Sequence, residues 1–409
     1  MSTSKALGHL RVLDLTRVLA GPLATQLLAD MGAEVIKIER PATGDDTRGW
    51  GPPFLRDPQG RETAESSYFL SANRAKKSIT VDIASPQGQA LIRELAAHCD
   101  VLIENYKVGT LQRYGLDYAQ LSEINPKLVY CSLTGFGQDG PYAPLPGYDF
   151  VFQGMGGLMS ITGLGDDQEG GGPMKCGIAI SDILAGMYTA TAVLAAIEHR
   201  HLSGRGQYID VALLDCVVAL NSYQATNYFL SGQTPPRMGN AHTNMVPYQA
   251  FACDEGHVIV AVGNDSQFAS FCAVIGRPEL AQDERFSKSA QRVRNREQLI
   301  PTVAAIMRTR TMHDWMRRME AANVPCGPIN DIPQVFENPH VVQRGIKQTL
   351  PHPLGVDMPL LANPIRFGGT PIRHEQPAPM LGQHTDEVLS GLLGKSPEAI
   401  DTLRRSGAI

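Results

Sequence analysis

A single acid, Asp182, lies in the otherwise apolar or small stretch KCGIAISDILAGMY. Ser and Asp are preferred helix N-caps, and a helical pattern follows, so Ser181-Asp182 predicts the start of a long helix. The same carboxylate, held in a poorly hydrated pocket, could act as a nucleophile. Gly177 and Gly186 on either side leave room for a substrate to come close. The local sequence favours the capping role, and the two roles need not exclude each other.

A second group of residues has the chemistry to bind anions. Arg40, Asn105, Lys107 and Arg113 follow predicted strands, where Arg offers a fork of donors and Lys a point charge. Each of them alone fits scattered surface charge. Their joint position after strands favours a phosphate-binding edge.

Two polar segments supply further candidates for the site. PGYDFVFQGMGGLMS contains Tyr148 and Gln153, and GNAHTNMVPYQAF contains His242, Asn244 and Tyr248. The last three are donors that could orient a carboxylate. The alternatives are an ordinary core aromatic for Tyr148 and a polar loop before a strand for the second segment.

The elements that must position these residues alternate between strand and helix over 9–136. This rhythm predicts an α/β fold, with a Rossmann-like large domain whose parallel sheet is covered by helices. Ligands bind such sheets at the carboxyl ends of the strands. The predicted strands are HLRVLDLT, AEVIKIER, KSITVDI, DVLIENY and KLVYCSLTGFG, and the predicted helices among them are AGPLATQLLADMG and PQGQALIRELAAHC.

The texture of the sequence changes from about residue 246, where VPYQAFACDEGHVIVAVG predicts a hairpin. We therefore predict a large α/β domain and a smaller α+β domain joined by two linkers. Their boundaries are 1–204, completed by 367–409, for the large domain, 205–240 for the first linker, 241–330 for the small domain and 331–366 for the return linker.

Composition excludes several classes of partner. The net charge of −5 with no strongly basic block argues against nucleic acid. No apolar run of ~20 residues is evident, which argues against a membrane span, and the N-terminal stretch lacks a signal or transit pattern, so we predict a cytoplasmic protein. The seven cysteines have no CxxC spacing, which supports neither a metal site nor a disulfide framework.

The segment GFGQDG, residues 135–140, fits the dinucleotide pattern G-x-G-x-x-G. A dinucleotide fold needs a helix to begin there and to direct its amides at the pyrophosphate. Instead PYAPLPGYD follows, with three prolines. NAD binding is therefore not expected.

Long collinear segments together resemble the class III CoA-transferases, the formyl-CoA transferase and carnitine-CoA transferase family. They run from LRVLDLTRVLAGPLATQLLADMGAEVIKIERP to GQHT and include GDDTRGWGPPF, NRAKKSITVDI, DVLIENYKVGTLQRYGL, LTGFGQDGPY and SGRGQYIDVALLD. RVLAGP, GDDTRGWGPPF and VPYQAF are most similar to the succinate–hydroxymethylglutarate (glutarate) branch of that family.

The resemblance implies a CoA-transferase that moves CoA from an acyl-CoA donor, such as succinyl-CoA, to a dicarboxylate such as glutarate or hydroxymethylglutarate. Asp182 would be the nucleophile and would carry CoA as an aspartyl thioester. CoA thioesters would be substrates, with no tightly bound cofactor, and the protein would be a homodimer of two interlocked rings. CoA contacts are implied for Arg40, Val81, Asp82, Asn105, Tyr106, Lys107, Arg113 and Tyr148, and acceptor contacts are predicted for Gln153, His242, Asn244 and Tyr248.

Other functions stay open at this point. The α-methylacyl-CoA racemases resemble the chain in outline but carry histidine where Tyr148 stands, and an unperturbed Tyr titrates near pH 10, too high for easy proton exchange at neutral pH. Formyl-CoA:oxalate-type transferases have a run of glycines where this chain has NAHTNMV, which favours a longer dicarboxylate. A CoA-binding protein without catalysis is the third alternative.

Overall fold

The computed structural model describes residues 5–409, which form two compact units. The first unit runs to Leu158 and also contains Lys175–Phe229 and Val342–Ile409, whereas the second contains Met159–Met174 and Leu230–Val341. These bounds differ from the predicted domains, because 159–174 belongs to the second unit and both predicted linkers are divided between the units. Residues 1–4 of the predicted large domain lie outside the described residues. They also belong to the N-terminal stretch from which we predicted the localisation.

The strands are listed here in chain order. They are β1 (Arg11–Leu15), β2 (Glu34–Glu39), β3 (Phe54–Arg56), β4 (Glu62–Ser66), β5 (Lys76–Thr80), β6 (Val101–Glu104), β7 (Val129–Thr134), β8 (Tyr208–Ala212), β9 (Tyr248–Ala252), β10 (His257–Ala261), β11 (Cys326–Pro328), β12 (Lys347–His352) and β13 (Val356–Leu361).

The helices follow the same order. They are α1 (Ala20–Asp30), α2 (Ser67–Ala72), α3 (Pro86–Ala97), α4 (Thr110–Arg113), α5 (Tyr118–Ile124), α6 (Asp149–Met155), α7 (Leu158–Ile161), α8 (Ile180–Ser203), α9 (Leu213–Leu220), α10 (Ser222–Ser231), α11 (Asp265–Val274), α12 (Ser289–Arg294), α13 (Arg296–Met307), α14 (Met312–Ala321), α15 (Ile332–Glu337), α16 (Pro339–Gln343), α17 (Thr385–Gly391) and α18 (Pro397–Arg405).

A six-stranded sheet in the order β5-β2-β1-β6-β7-β8 organises the first unit, and every neighbouring pair in it is parallel. This is the order of a doubly wound sheet. From β1 the chain adds strands first toward one edge of the sheet and then, beginning with β6, toward the other edge. The predicted Rossmann-like parallel sheet and its five predicted strands are confirmed. The sixth strand, β8, was missed because it is a half-exposed edge strand between two helices, so it lacks the apolar run of a buried strand.

The two faces of the sheet are covered by different helices. Val12 packs with Leu28 of α1 and Val193 of α8 on one face. Leu13, the next residue of β1, packs with α3 and with the C-terminal helices on the other face, through residues that include Leu91, Val388 and Ile400. Successive strand residues therefore serve both cores, as the fold requires.

Helix α8 is 24 residues long with a mean hydropathy of 1.6 over its most apolar part, enough to cross a membrane by length and composition alone. The sequence analysis overlooked this segment when it found no such run. Val193, Ala196 and Ile197 of α8 are buried against the sheet and α1, which explains the apolar character of this helix in a folded core.

The second unit contains the antiparallel sheet β11-β10-β9. The predicted hairpin is confirmed as β9 and β10, and β11 adds a third strand to it. Helices α11, α13 and α14 cover this sheet with a core that includes Phe268, Leu299 and Trp315. In the first unit, part of the predicted return linker 331–366 forms the hairpin β12–β13. Pro351 and Pro359 within it obscured the strand pattern.

Candidate active site

The loops after β1 and β6 meet where the strand order reverses. The backbone N–H of Arg17 donates to Asn105 Oδ1 at 2.9 Å, and Asn105 Nδ2 donates to the Arg17 carbonyl at 2.7 Å. A cavity of about 230 Å³ opens beside this junction. This crevice is the place where doubly wound sheets bind their ligands. Its polar wall consists of Arg17, Asp46, Asn105, Tyr106, Lys107, Thr134, Tyr148 and Asp182.

Buried charged side chains fix the backbone of the loop after β1. Lys37 is fully buried, donates to the Thr16 carbonyl at 2.8 Å and pairs with Asp45 at 2.9 Å. Asp45 in turn accepts the Val18 N–H at 3.3 Å. Val18, on the cavity wall, has φ +73°, a conformation that a β-branched residue rarely adopts. Such backbone strain persists where surrounding bonds over-determine the loop, which is typical of functional sites.

Asp182 reaches the cavity from the first turn of α8, and it does not cap that helix. The helix begins at Ile180 with Ala179 at the N-cap and no side-chain cap bond, so the predicted capping role is wrong. Within residues 5–409, no group hydrogen-bonds to the Asp182 carboxylate. Burial, and then the negative charge of Asp149, raise the pKa of Asp182 to about 7.

Asp149 supplies the cap that Asp182 does not. Its Oδ1 accepts the Ser181 N–H at 2.9 Å and also accepts the Ser181 hydroxyl. Asp149 belongs to the first turn of α6, so one acid fixes the start of α8 from a neighbouring helix. Because Ser181 precedes the candidate nucleophile, the position of Asp182 depends on Asp149.

Gln153 completes this support and does not line the cavity. Its side chain is fully buried, donates to Asp149 Oδ2 at 2.7 Å and accepts the Cys176 N–H at 2.8 Å. Its amide also donates to the Ile178 carbonyl at 3.3 Å. Gln153 thus fastens the segment that leads into α8, whereas the sequence analysis predicted a contact with the acceptor.

The structure brings some of the predicted CoA contacts to the cavity and leaves others outside it. Asn105, Tyr106, Lys107 and Tyr148 line the wall. Arg40 is half-exposed beyond the wall and reaches it through an ion pair of 2.5 Å with Asp46.

Three further predicted contacts are not brought to the cavity. Val81 is buried in the core, Asp82 follows it, and Arg113 is exposed at the end of α4. Among the described residues, none of these three is part of the cavity wall.

Gly186 has a packing role and leaves no room for substrate. A Cβ there would lie 2.6 Å from the Ala20 carbonyl oxygen, so the helix α1 fills this space. Gly177 differs, since a Cβ added there would meet no atom within 4 Å. Only Gly177 keeps the open surroundings that the sequence analysis expected of both glycines.

The three predicted acceptor ligands of the second unit lie together. His242 Nδ1 accepts the Asn244 N–H at 3.0 Å, and the His242 and Tyr248 rings meet edge to face at 5.2 Å. Burial and the charge of Arg296 lower the pKa of His242, which favours its neutral imidazole. His242, Asn244 and Tyr248 thus form one polar cluster within the second unit.

Several residues of the site were missed from sequence. Arg17 and Asp46 line the cavity, and Asp149 supports Asp182. Burial and the charges of Asp182 and Asp149 raise the pKa of Tyr68, which places this neutral phenol within the field of the nucleophile. Arg17 follows β1, a strand that the sequence analysis predicted. Only the strand order of the sheet shows that the end of β1 lies where that order reverses. Within residues 5–409, no cluster of three or more His, Cys, Asp or Glu side chains could hold a metal ion.

Comparison with known proteins agrees with this geometry. The family model for CoA-transferase family III matches residues 7–385. A succinate–glutarate CoA-transferase of Agrobacterium fabrum is 46% identical over 94% of this chain and 95% of its own. The human succinyl-CoA:glutarate CoA-transferase is 41% identical over 100% of this chain and 91% of its own. A crystal structure of a CAIB/BAIF family protein from Brucella suis has a TM-score of 0.81 at 44% identity, covering 94% of this chain and 99% of that one. The chain is an enzyme of CoA-transferase family III.

Proposed function

We propose that this protein transfers CoA from succinyl-CoA to glutarate through a covalent intermediate on Asp182. The observation that carries the proposal is a carboxylate on the cavity wall that no group of the described chain hydrogen-bonds. Burial and the charge of Asp149 raise the pKa of this carboxylate to about 7, which makes its ionised form more basic than an ordinary carboxylate and a stronger nucleophile. The choice of donor and acceptor rests on the two relatives named above, which are 46% and 41% identical.

The first half of the reaction moves CoA onto the protein. The Asp182 carboxylate attacks the thioester carbonyl of succinyl-CoA, the carbon–sulfur bond breaks, and CoA leaves as a thiolate. This gives a mixed anhydride between Asp182 and succinate. The thiolate then attacks the Asp182 carbonyl of the anhydride, so succinate leaves and an aspartyl-CoA thioester remains.

The second half repeats these steps in reverse with the acceptor. A carboxylate of glutarate attacks the aspartyl thioester, and the thiolate leaves and returns to the glutaryl carbonyl. The products are glutaryl-CoA and the free Asp182 carboxylate. Each half-reaction exchanges one carboxylate for another on the CoA thioester at nearly matched free energy, so no ATP is needed. An anhydride hydrolyses in water, and the position of Asp182 in a cleft between loops limits that loss.

The charge state of Asp182 sets the activity. With a pKa of about 7, roughly half of the free enzyme carries the nucleophilic form at neutral pH. The loop residues Asn105, Tyr106 and Lys107 would hold the CoA chain beside it. Tyr148 on the same wall would face the thioester, where its hydroxyl can donate to the oxygen that becomes negative.

We also infer that the protein works as a homodimer of interlocked chains. Exposed apolar side chains on α8, α9 and α10 support this, among them Tyr188 at 49%, Val218 at 52% and Phe229 at 76% exposure. Cytoplasmic localisation and the lack of a tightly bound cofactor stay predictions.

A competition assay tests the reaction. Succinyl-CoA is the donor, and glutarate, 3-hydroxy-3-methylglutarate, malate, oxalate and itaconate compete as acceptors in one tube, with every CoA ester identified by mass. We expect glutaryl-CoA to dominate. Oxalyl-CoA as the main product would contradict the acceptor assignment.

A trapping experiment tests the mechanism. The enzyme is mixed with succinyl-CoA without acceptor, quenched in acid and digested, and the peptide that contains Asp182 is weighed. We expect this peptide to carry CoA in the wild type and to be unmodified in Asp182→Asn, whose transfer rate falls on the order of 10⁴-fold. Transfer that persisted in the variant would reject Asp182 as the nucleophile. Exchange of the α-hydrogen of a 2-methylacyl-CoA with deuterated water, without CoA transfer in the wild type, would replace this proposal with the racemase alternative.

A further inference from the structure

An acid stands between two arginines at the rim of the cavity. Asp46 Oδ1 accepts from Arg40 Nη2 at 2.5 Å, and Asp46 Oδ2 accepts from Arg17 Nη1 at 3.2 Å. Both Asp46 and Arg17 line the cavity that contains Asp182. The two carboxylate oxygens thus bridge two guanidinium groups, which is the arrangement that a phosphate group also takes between arginines.

The Arg17 guanidinium is prepared for a further acceptor. Its backbone is fixed at both its N–H and its carbonyl by Asn105, and its guanidinium carbon lies 5.2 Å from the Tyr106 ring centroid. Its Nε is buried and has no hydrogen-bond partner among the described residues. An unpaired buried donor of a charged group is costly unless a ligand satisfies it.

Asp46 itself is bound loosely enough to be displaced. It is 40% exposed, and its partners Arg40 and Arg17 are 50% and 34% exposed. Ion pairs at such exposure contribute little to stability. Its neighbour Asp45 differs, because it is buried, pairs with Lys37 and caps the short helix that begins at Asp46. The chain therefore keeps one acid to build the loop and a second that is not needed for that purpose.

We propose that Asp46 occupies a phosphate site of CoA in the free enzyme and that a phosphate of the incoming CoA displaces it, with Arg17 and Arg40 as the ligands. Arg17 is then a CoA-phosphate ligand that the sequence analysis did not assign. Asp46 keeps both guanidinium groups in place without substrate and weakens CoA binding by competing for them. The inference rests on the proposed function only in taking CoA as the substrate.

Binding of CoA tests this without any turnover. Calorimetry on the full-length protein compares CoA, 3′-dephospho-CoA and pantetheine as ligands for the wild type, Asp46→Asn and Arg17→Gln. Asp386→Asn is the matched control, because Asp386 also pairs with an arginine, Arg404, at 2.5 Å but lies on α17.

We expect Asp46→Asn to tighten CoA binding about 3- to 10-fold and Arg17→Gln to weaken it about 10-fold or more. Pantetheine binding should change less than about twofold in both variants, and Asp386→Asn should match the wild type. If 3′-dephospho-CoA responds to Asp46→Asn as CoA does, the diphosphate is the displacing group; if it does not respond, the 3′-phosphate is.

Two results would overturn the inference. Weaker CoA binding in Asp46→Asn would mean that the acid only positions the arginines. An equal loss of CoA and pantetheine binding in Arg17→Gln would mean that Arg17 reads no phosphate. A protein that binds CoA in the expected pattern but transfers nothing to any acceptor would leave this inference standing and would reject the proposed function.

Discussion

At the scale of single residues, the site depends on a carboxylate kept away from donors. Folded proteins hydrogen-bond their buried polar groups, and exceptions concentrate at functional sites. Asp182 is partly buried on the cavity wall, and within residues 5–409 its carboxylate accepts no hydrogen bond, whereas Asp149 bonds to Ser181 and the Gln153 amide bonds to Asp149. The chain thus stabilises the helix start without solvating the nucleophile.

The pH dependence of the reaction follows from this arrangement. Only the ionised form of Asp182 attacks, so kcat/KM for succinyl-CoA should rise with pH and reach half of its maximum at about 7. Asp149→Asn removes the repelling charge and keeps an oxygen for Ser181, so it should lower the pKa of Asp182 and move this rising limb to lower pH.

Steady-state pH profiles with saturating glutarate measure the effect, and Asp386→Asn serves as a control with an unchanged limb. A limb that stays in place in Asp149→Asn would show that burial alone sets the pKa. An intact limb position together with lost activity would assign Asp149 a purely structural role.

At the scale of elements, α8 is positioned by its close contact with α1. Gly186 allows it, because a Cβ there would lie 2.6 Å from the Ala20 carbonyl oxygen and 3.3 Å from Leu23 Cβ. Backbone cannot give way as a flexible side chain can, so any larger residue must push the helices apart. Asp182 lies one turn before Gly186 and would move with α8.

Gly186→Ala should therefore lower the free energy of unfolding by about 1–3 kcal/mol and reduce CoA transfer as well. Gly177→Ala is the matched control for stability, since its Cβ would meet open space and the backbone there is not left-handed. Denaturant titration and the transfer assay measure the two effects. Unchanged stability in Gly186→Ala would mean that α1 and α8 adjust to a Cβ at no cost.

At the scale of the whole molecule, the exposed apolar side chains of α8, α9 and α10 need a cover. A chain of 44.3 kDa that works alone rarely leaves so large a group in water. Sedimentation velocity should give a particle of about twice that mass, with no dissociation on dilution if the chains interlock.

Phe229→Asp should weaken the dimer, because it places a negative charge within this apolar surface. The Phe229 side chain is 76% exposed in the single chain. Ile124→Asp is the control, since Ile124 is 47% exposed at the end of α5, outside those three helices. A monomeric wild type would contradict the proposed dimer.

The sequence by itself determined the five strands with continuous apolar runs, the helices between them and the identity of the candidate nucleophile. These features depend on local periodicity and on a lone acid among apolar residues, which are visible in one dimension.

Tertiary structure alone decided which loops meet. Strand order places the ends of β1 and β6 together, so Arg17 lines the cavity, whereas Arg113, which the motif favoured, lies outside its wall. Neither the displaced helix start nor the missing donors of Asp182 could be read from local sequence, because the cap comes from Asp149 on another helix. The pKa of the nucleophile likewise depends on burial and on a charge that is distant in sequence, and only the folded chain brings these together.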